Sequence, residues 1–253
     1  TLTISVDDAI VGGSASAYDE VLFARGAGSI RNGSVYAGDD VNLTDQSRVR
    51  VNGGSVYAGD MVSGVPPYSS QVVGGSVYQG VPSPVQPVSY YQNNYKMDCC
   101  AAGSEFAHFY SRAQSQGHLL LGNQSISGGN YTGIWYITGD LHISGDFSGD
   151  AIFVVEGNLY LDGNIRSTSG QTYAFIVNGN VDTRGLGRGS IDAFVYANGT
   201  IDAFGNSTVN GGVVSFGGVT GHGGFTVNYR TPTQVSEIPG YSEKFKIISL
   251  EKP

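Results

Sequence analysis

The sequence predicts an all-β fold: a right-handed parallel β-helix (β-solenoid) with one short helix inserted. Three observations predict it. Glycine is in excess, the glycines sit in a phrase that recurs about every 20 residues, and short runs of period-two apolar alternation flank them. Glycine supplies 39 of 253 residues, about twice its usual share of roughly 7%. Long helices are excluded, because glycine costs about 1 kcal/mol per helical position relative to alanine. With eight prolines and no Gly-X-Y period the chain is not collagen. A hydrophobic content of 40% excludes a disordered chain.

The phrase is clearest in the second half. It reads Ile134-Trp-Tyr-Ile-Thr-Gly139-Asp-Leu-His-Ile143, Ile152-Phe-Val-Val-Glu-Gly157-Asn-Leu-Tyr-Leu161 and Ala174-Phe-Ile-Val-Asn-Gly179-Asn-Val-Asp-Thr183. It continues as Phe194-Val-Tyr-Ala-Asn-Gly199-Thr-Ile-Asp-Ala203 and Val213-Val-Ser-Phe-Gly-Gly218-Val-Thr220. Aligned on Gly139, Gly157, Gly179, Gly199 and Gly218, the spacings are 18, 22, 20 and 19. The first half carries Gly33-Ser-Val-Tyr-Ala-Gly38-Asp, Gly54-Ser-Val-Tyr-Ala-Gly59-Asp and Gly75-Ser-Val-Tyr-Gln-Gly80, with Gly38, Gly59 and Gly80 spaced by 21 and 21. Two short strands per repeat at this period are the signature of a solenoid. Each phrase is a strand, a Gly-Asn or Gly-Asp corner, and a second strand. Glycine is expected at the corner because a sharp turn asks for positive φ. One coil cannot bury its inner face alone. Stacking at about 4.8 Å per coil makes one core of Val, Ile, Leu and Phe, in a rod on the order of 40 Å long. A β-sandwich, the competing architecture, would not repeat a phrase.

Taken in order, residues 1–19 form an N-terminal strand segment, a cap or a donor strand. Residues 20–85 hold the first solenoid coils. Residues 86–116 hold a Pro-rich crossing, which begins within Val81-Pro-Ser-Pro-Val-Gln-Pro-Val88, and then the helix. That helix spans Ser104-Glu-Phe-Ala-His-Phe-Tyr-Ser-Arg-Ala-Gln114. Ser104 is its N-cap, and Phe106, Phe109, Tyr110 and Ala113 share a face. It is expected to cover apolar surface of the solenoid or to cap one end. Residues 117–230 are the main coils, and 231–253 a C-terminal tail strand.

Charge and chemistry narrow the function. The formal net charge of −8, with 13 Lys and Arg, argues against nucleic acid. No apolar run approaches the roughly 18–20 residues of a membrane span. The chain begins Thr1-Leu-Thr-Ile-Ser-Val6 without Met or a signal peptide, as a processed or truncated end would. Several right-handed β-helices act on polysaccharides with paired carboxylates. Asp7-Asp8 and Asp39-Asp40 are adjacent, and adjacent strand residues face opposite sides. Gly221-His222-Gly223 lacks the Asn-Thr-Asp and Arg-Ile-Lys companions of polygalacturonase-type enzymes. Asp39, Asp60 and Asp140 directly follow glycines, where turn-forming Asp belongs. His108, His118, His142 and His222 show no ligand spacing, and Gly-Gly-x-Gly-x-Asp calcium repeats are missing. No catalytic group, metal or cofactor is assigned.

Cys99 and Cys100 are the two cysteines of the chain. Outside the cell they are candidates for an intermolecular disulfide, a vicinal bridge or reduced thiols standing as the alternatives. Asn32, Asn42, Asn123, Asn130, Asn198 and Asn206 are N-glycosylation sequons. Ice binding, a further β-solenoid function, asks for a flat array of regularly spaced Thr. The outward positions here mix Tyr, His, Asp, Glu and Thr, which argues against it. Leu2, Ile4 and Val6 alternate strictly, and so do Phe245 and Ile247. Such terminal strands either cap their own rod or add to the next subunit, and head-to-tail addition gives an open filament.

The order of elements, from Gly-Ser-Val-Tyr-Ala-Gly-Asp coils through crossing and helix to Gly-Asp-Leu, Gly-Asn-Leu and Gly-Asn-Val coils, closes with Gly211-Gly-Val-Val-Ser-Phe216 and Val227-Asn-Tyr229. It resembles the β-solenoid ectodomain of type IV pilus assembly proteins of the minor-pilin type. It is similar, more weakly, to the choice-of-anchor A domain of secreted bacterial adhesins. The likeness covers roughly residues 20–240. It implies a secreted, surface-exposed structural or adhesive module, with no catalytic residues to carry over. The expectation is therefore a non-enzymatic, extracellular cell-surface protein that self-assembles into a filament or joins a pilus. A glycan- or surface-binding adhesin with a Tyr-rich flank is the alternative, and a polysaccharide-active enzyme the third reading.

Overall fold

Val35, Val56 and Val77, the valines of the three Gly-Ser-Val-Tyr phrases, lie in register on neighbouring parallel strands. The repeat in the sequence is thus a repeat in space. In this computed structural model the described residues are 15–17, 21–24, 29–31, 35–37, 41–42, 50–63, 72–80, 97–162, 165, 173–222 and 225–228. Their strands pair in parallel throughout and form three sheets, so each full coil contributes one strand to each sheet.

Sheet A has ten strands. In spatial order they are Val77–Tyr78, Val56–Ala58, Val35–Ala37, Ala15–Ala17, Gly212–Ser215, Ala193–Ala197, Tyr173–Val177, Ile152–Val155, Ile134–Ile137 and Leu119–Leu120. Sheet B has nine: Gln124–Tyr131, Leu141–Gly149, Leu159–Asp162, Val181–Gly185, Ile201–Ala203, Val219–His222, Val21–Ala24, Val41–Asn42 and Val62–Ser63. Sheet C has six: Ser190–Ile191, Thr208–Asn210, Thr226–Asn228, Ser29–Arg31, Arg50–Asn52 and Val72–Val73.

The stacking order differs from the chain order. The chain enters at the middle of the rod and winds outward to Val77–Tyr78. It reappears at the opposite end with Leu119–Leu120 and winds back until its last described coil meets its first. Ala15 pairs with Val213, Val21 with Val219, and Ile30 with Val227. The ends of the described stack are therefore interior points of the sequence, close to residues 80 and 119. Leu2, Ile4, Val6, Phe245 and Ile247 lie outside the described residues.

Alternation along each strand divides its side chains between two faces. Inward residues such as Leu141, Ile143, Phe153, Val155, Phe175, Val177, Val195 and Val213 form the inner core. On sheet A the outer face is buried as well. Ile134, Tyr136, Ile152, Val154, Ala174, Ile176, Phe194 and Tyr196 join Met97, Phe106, Phe109 and Ala113 in a second core. Phe106, Phe109 and Ala113 come from helix α1, Glu105–Gln116, which packs against Ile134–Ile137 and Leu119–Leu120. Ser104 caps its N-terminus by accepting from the Ala107 N–H at 3.2 Å, and Gly117 ends it in the left-handed conformation (φ 74°). Tyr110, expected on the buried face, sits at its edge and meets Tyr136 edge-on, 5.2 Å between ring centroids.

The stretch leading to the helix is fastened by a buried polar knot. The Tyr196 hydroxyl accepts from the Met97 N–H (2.7 Å) and donates to Asn198 Oδ1 (2.8 Å). The Asn198 amide donates to the Met97 carbonyl (2.8 Å) and to Asn178 Oδ1 (3.0 Å). Both backbone groups of Met97 are thereby satisfied in an apolar setting, where leaving them unpaired would cost about 1–3 kcal/mol each.

Gly80 has the positive φ expected of a corner (61°), but the glycine column of the second half is needed for a different reason. Gly139, Gly157, Gly179, Gly199 and Gly217 form a backbone ladder from coil to coil, and none of them has positive φ. What they lack is room. A Cβ on Gly179 would stand 2.5 Å from the Gly157 carbonyl oxygen and 2.6 Å from Asn158 Oδ1. The ladder also moves the last alignment by one residue, from Gly218 to Gly217. Gly218, with φ 108°, takes the place that Asp140, Asn158, Asn180 and Thr200 hold in the other coils.

Candidate binding faces

The three sheets present three unequal outer faces. Sheet A is closed by α1 and the second core along the half that contains Gly212–Ser215 to Leu119–Leu120. Sheets B and C carry polar residues on the side away from the inner core.

On sheet B the outward register runs Ser125, His142, Tyr160, Asp182, Asp202, Thr220. The alternate positions Leu141, Leu159, Val181, Ile201 and Val219 are buried. The row is uneven. Tyr160 is 40% exposed, and its ring lies 6.2 Å from that of His142. His142 Nε2 is 3.9 Å from Asp162 Oδ2. Asp182 and Asp202 are direct register partners. Asp182 accepts from the Arg184 backbone N–H (2.8 Å) and from its Nε (2.7 Å).

On sheet C two columns run side by side. Ser190, Thr208 and Thr226 are successive register partners, and Ser29 follows Thr226. Two residues along each strand stand Asp192, Asn210 and Asn228. Asn228 Nδ2 donates to Asn210 Oδ1 (3.0 Å), and Asn210 Nδ2 donates to Asp192 Oδ1 (2.7 Å). Between the columns Ile191, Val209 and Val227 are buried.

A third ladder stiffens the edge between sheets A and B. Asn123 Oδ1 accepts from the Asp140 N–H (2.9 Å), Asp140 Oδ1 from the Asn158 N–H (2.7 Å), Asn158 Oδ1 from the Asn180 N–H (2.9 Å) and Asn180 Oδ1 from the Thr200 N–H (2.8 Å). Asp140 is thus a turn residue, engaged with the next coil.

Two tyrosines have raised pKa values. Burial is the larger cause for Tyr136, followed by its hydrogen bond to Glu156, 2.7 Å long. Tyr173 is pushed up to about 12, by burial first and then by the Asp150 charge. Its hydroxyl is fully buried and has no hydrogen-bond partner. Both shifts arise from packing within the rod.

The remaining sequence candidates are scattered. His108 is exposed on α1, and His118 stacks on Trp135, centroids 4.1 Å apart. His222 ends a strand of sheet B, and its side chain lies outside the described residues, as do Asp7, Asp8, Asp39 and Asp40. Among the described residues no three His, Cys, Asp or Glu side chains are grouped so as to hold a metal ion. No helix among them is long and apolar enough to cross a membrane. Cys99 and Cys100 are bonded to each other, so a bridge to a second chain would require that pair to open. Among the sequons, Asn123, Asn130 and Asn206 are exposed. Asn198 is 7% exposed and engaged in the Met97 knot, which closes it to a glycan in the folded chain. Asn32 and the Asn42 side chain lie outside the described residues.

No family model matches the chain, and neither does any curated relative. Solved structures do. An ice-binding protein from the Antarctic ascomycete Antarctomyces psychrotrophicus matches with a TM-score of 0.53 at 16% identity, over 88% of this chain and 96% of that one. The fold is similar to that of an ice-binding protein. Further matches are an ice-binding protein from an Antarctic biological consortium (TM-score 0.49, 14% identity, 90% of each chain) and a glycosylated ice-binding protein from an Arctic yeast (0.47, 14%, 88% of this chain and 94% of that one).

The likeness to the ascomycete protein corrects the resemblance to type IV pilus assembly proteins and to choice-of-anchor A adhesins. The phrases that carried it are corner glycines and strand valines, which any stack of coils this tight requires. They report coil geometry rather than kinship. The pilus and the homopolymeric filament lose their support with it. The mixed outward residues that count against ice binding in the sequence are distributed over separate faces. His142, Tyr160, Asp182 and Asp202 belong to sheet B, while Thr208 and Thr226 belong to sheet C.

Proposed function

We propose that this protein binds ice, as a non-enzymatic, extracellular β-solenoid that presents a flat, preorganised sheet face to the crystal surface. The observation that carries the proposal is the fold, which matches a solved ice-binding protein over 88% of this chain and 96% of the other. The geometry suits the task. Parallel coils set side chains at intervals of about 4.8 Å, and side-chain ladders hold the corners and the outer rows without help from a ligand. A surface already in its bound shape spends little entropy on contact. Such a reading requires neither a cofactor nor a catalytic group.

The test is thermal hysteresis and ice-recrystallisation inhibition by the purified full chain, with an unrelated protein of similar charge as the control. The expected result is faceted crystals and a freezing point held below the melting point. Crystals that grow as round discs, with no gap between the two temperatures, would overturn the proposal.

A further inference from the structure

We propose that the ice-contacting surface is the outer face of sheet C, centred on Thr208, Asn210, Thr226 and Asn228. The inference rests on the ice-binding reading above and adds the face that performs it. An ice surface is a neutral, repeating lattice of water, so the face that fits it should be neutral, repeating and fixed in orientation.

The two coils of sheet C that carry Thr208 and Thr226 meet these three conditions; beyond them the register passes to Ser29 and Arg31 and then to Arg50. Ser190, Thr208 and Thr226 repeat one hydroxyl per coil, and Asn210 and Asn228 repeat one amide per coil beside them. The rungs are about 4.8 Å apart, and Thr and Asn on one strand stand about 6.6 Å apart. The threonines are stiff at χ1 because they are β-branched. The amides are oriented by their own ladder, Asn228 to Asn210 to Asp192, before any ligand arrives. The Asp192 carboxylate, at the margin, is engaged by Asn210. The buried Val209 and Val227, between the rows in sequence, anchor both columns to the core.

Sheet B is longer and does not fit. Its outer row sets a protruding Tyr160 beside His142, and Asp182 beside Asp202. Ionised carboxylates hold their own hydration, and removing it is costly.

The coil that carries Thr226 on sheet C also carries Thr220 on the outer row of sheet B, which supplies a matched control. The variants are Thr208→Tyr and Thr226→Tyr on sheet C and Thr220→Tyr on sheet B. All place a good strand former in a strand, and Asn228→Ser is a milder second probe of sheet C. Thermal hysteresis is measured on each full chain beside the wild type, with far-ultraviolet circular dichroism and the melting temperature as checks of folding. The expected result is that Thr208→Tyr and Thr226→Tyr lose most of the hysteresis, Asn228→Ser loses part, and Thr220→Tyr keeps that of the wild type. Loss in Thr220→Tyr with activity kept in the sheet C variants would overturn the assignment of the face and leave ice binding standing. Retention in all four would overturn it equally. A wild type without hysteresis would remove the function, and the face with it.

Discussion

Ala15 and Val213 are neighbours on adjoining parallel strands, although 198 positions of sequence (213 − 15) separate them. Together with Val21 beside Val219 and Ile30 beside Val227, this pair closes a seam at the middle of the rod. Each half of the solenoid is the wall against which the other completes its core.

A seam of this kind couples the halves. Val213 is fully buried, and Val213→Ala should cost about 2 kcal/mol, from two lost methyl groups and the space they leave. The loss should appear on both sides. Hydrogen exchange is expected to quicken in the strands 15–17 and 35–37 as well as in 193–197 and 212–215. Faster exchange confined to 193–215 would mean that the first coils do not lean on the last.

The corner ladder makes a prediction that separates two roles of glycine. Gly179 has ordinary φ but no room for a Cβ, whereas Gly187 has φ 58° and open space around it. Gly179→Ala forces backbone to shift and should cost about 1–3 kcal/mol. Gly187→Ala meets only the left-handed conformation, at about 1 kcal/mol. Thermal or urea melts of the two variants check this. An equal or smaller cost at Gly179 would contradict close packing as the reason for the glycine column.

Much of this was legible in the sequence. Gly139, Gly157, Gly179 and Gly199 mark the corners, and the period-two alternation about them places Leu141, Leu159, Val181 and Ile201 inside. Helix α1 was legible from Ser104 and the Phe106, Phe109 and Ala113 spacing. The stacking order was not. The interfaces between coils are built from the same few residue types, chiefly Val, Ile, Leu, Ala and Phe, so nothing in a coil names its neighbour, and only long-range pairing brings Ala15 to Val213. The tandem Gly217-Gly218 hid a one-residue phase change, since either glycine fits the phrase. The two columns of sheet C were hidden too. Ser190, Thr208 and Thr226 are 18 residues apart and mixed along the chain with Tyr160, Asp182 and Asp202, which point from another sheet.

Tyr173 links the core to alkaline stability. Its pKa is raised from the ordinary value near 10 to about 12, so the folded chain disfavours the phenolate. The contribution is whole below pH 10, the unfolded value, and is lost as pH rises from 10 through about 12. Because the hydroxyl is buried without a partner, Tyr173→Phe should be neutral or stabilising at pH 7. It should also move the midpoint of alkaline unfolding upward, as followed by circular dichroism. A midpoint that stays in place or falls would show that this hydroxyl does not drive the transition. Tyr136, shifted in the same direction, sets the remaining loss.

The central claim is that this solenoid recognises ice, and partition into a growing ice front measures that most directly. The full chain, fluorescently labelled, is mixed with a labelled protein of similar size and charge, and an ice hemisphere is grown slowly from the solution. The expected result is that the chain is taken into the ice while the control stays in the liquid. Exclusion of both to the same extent would contradict it.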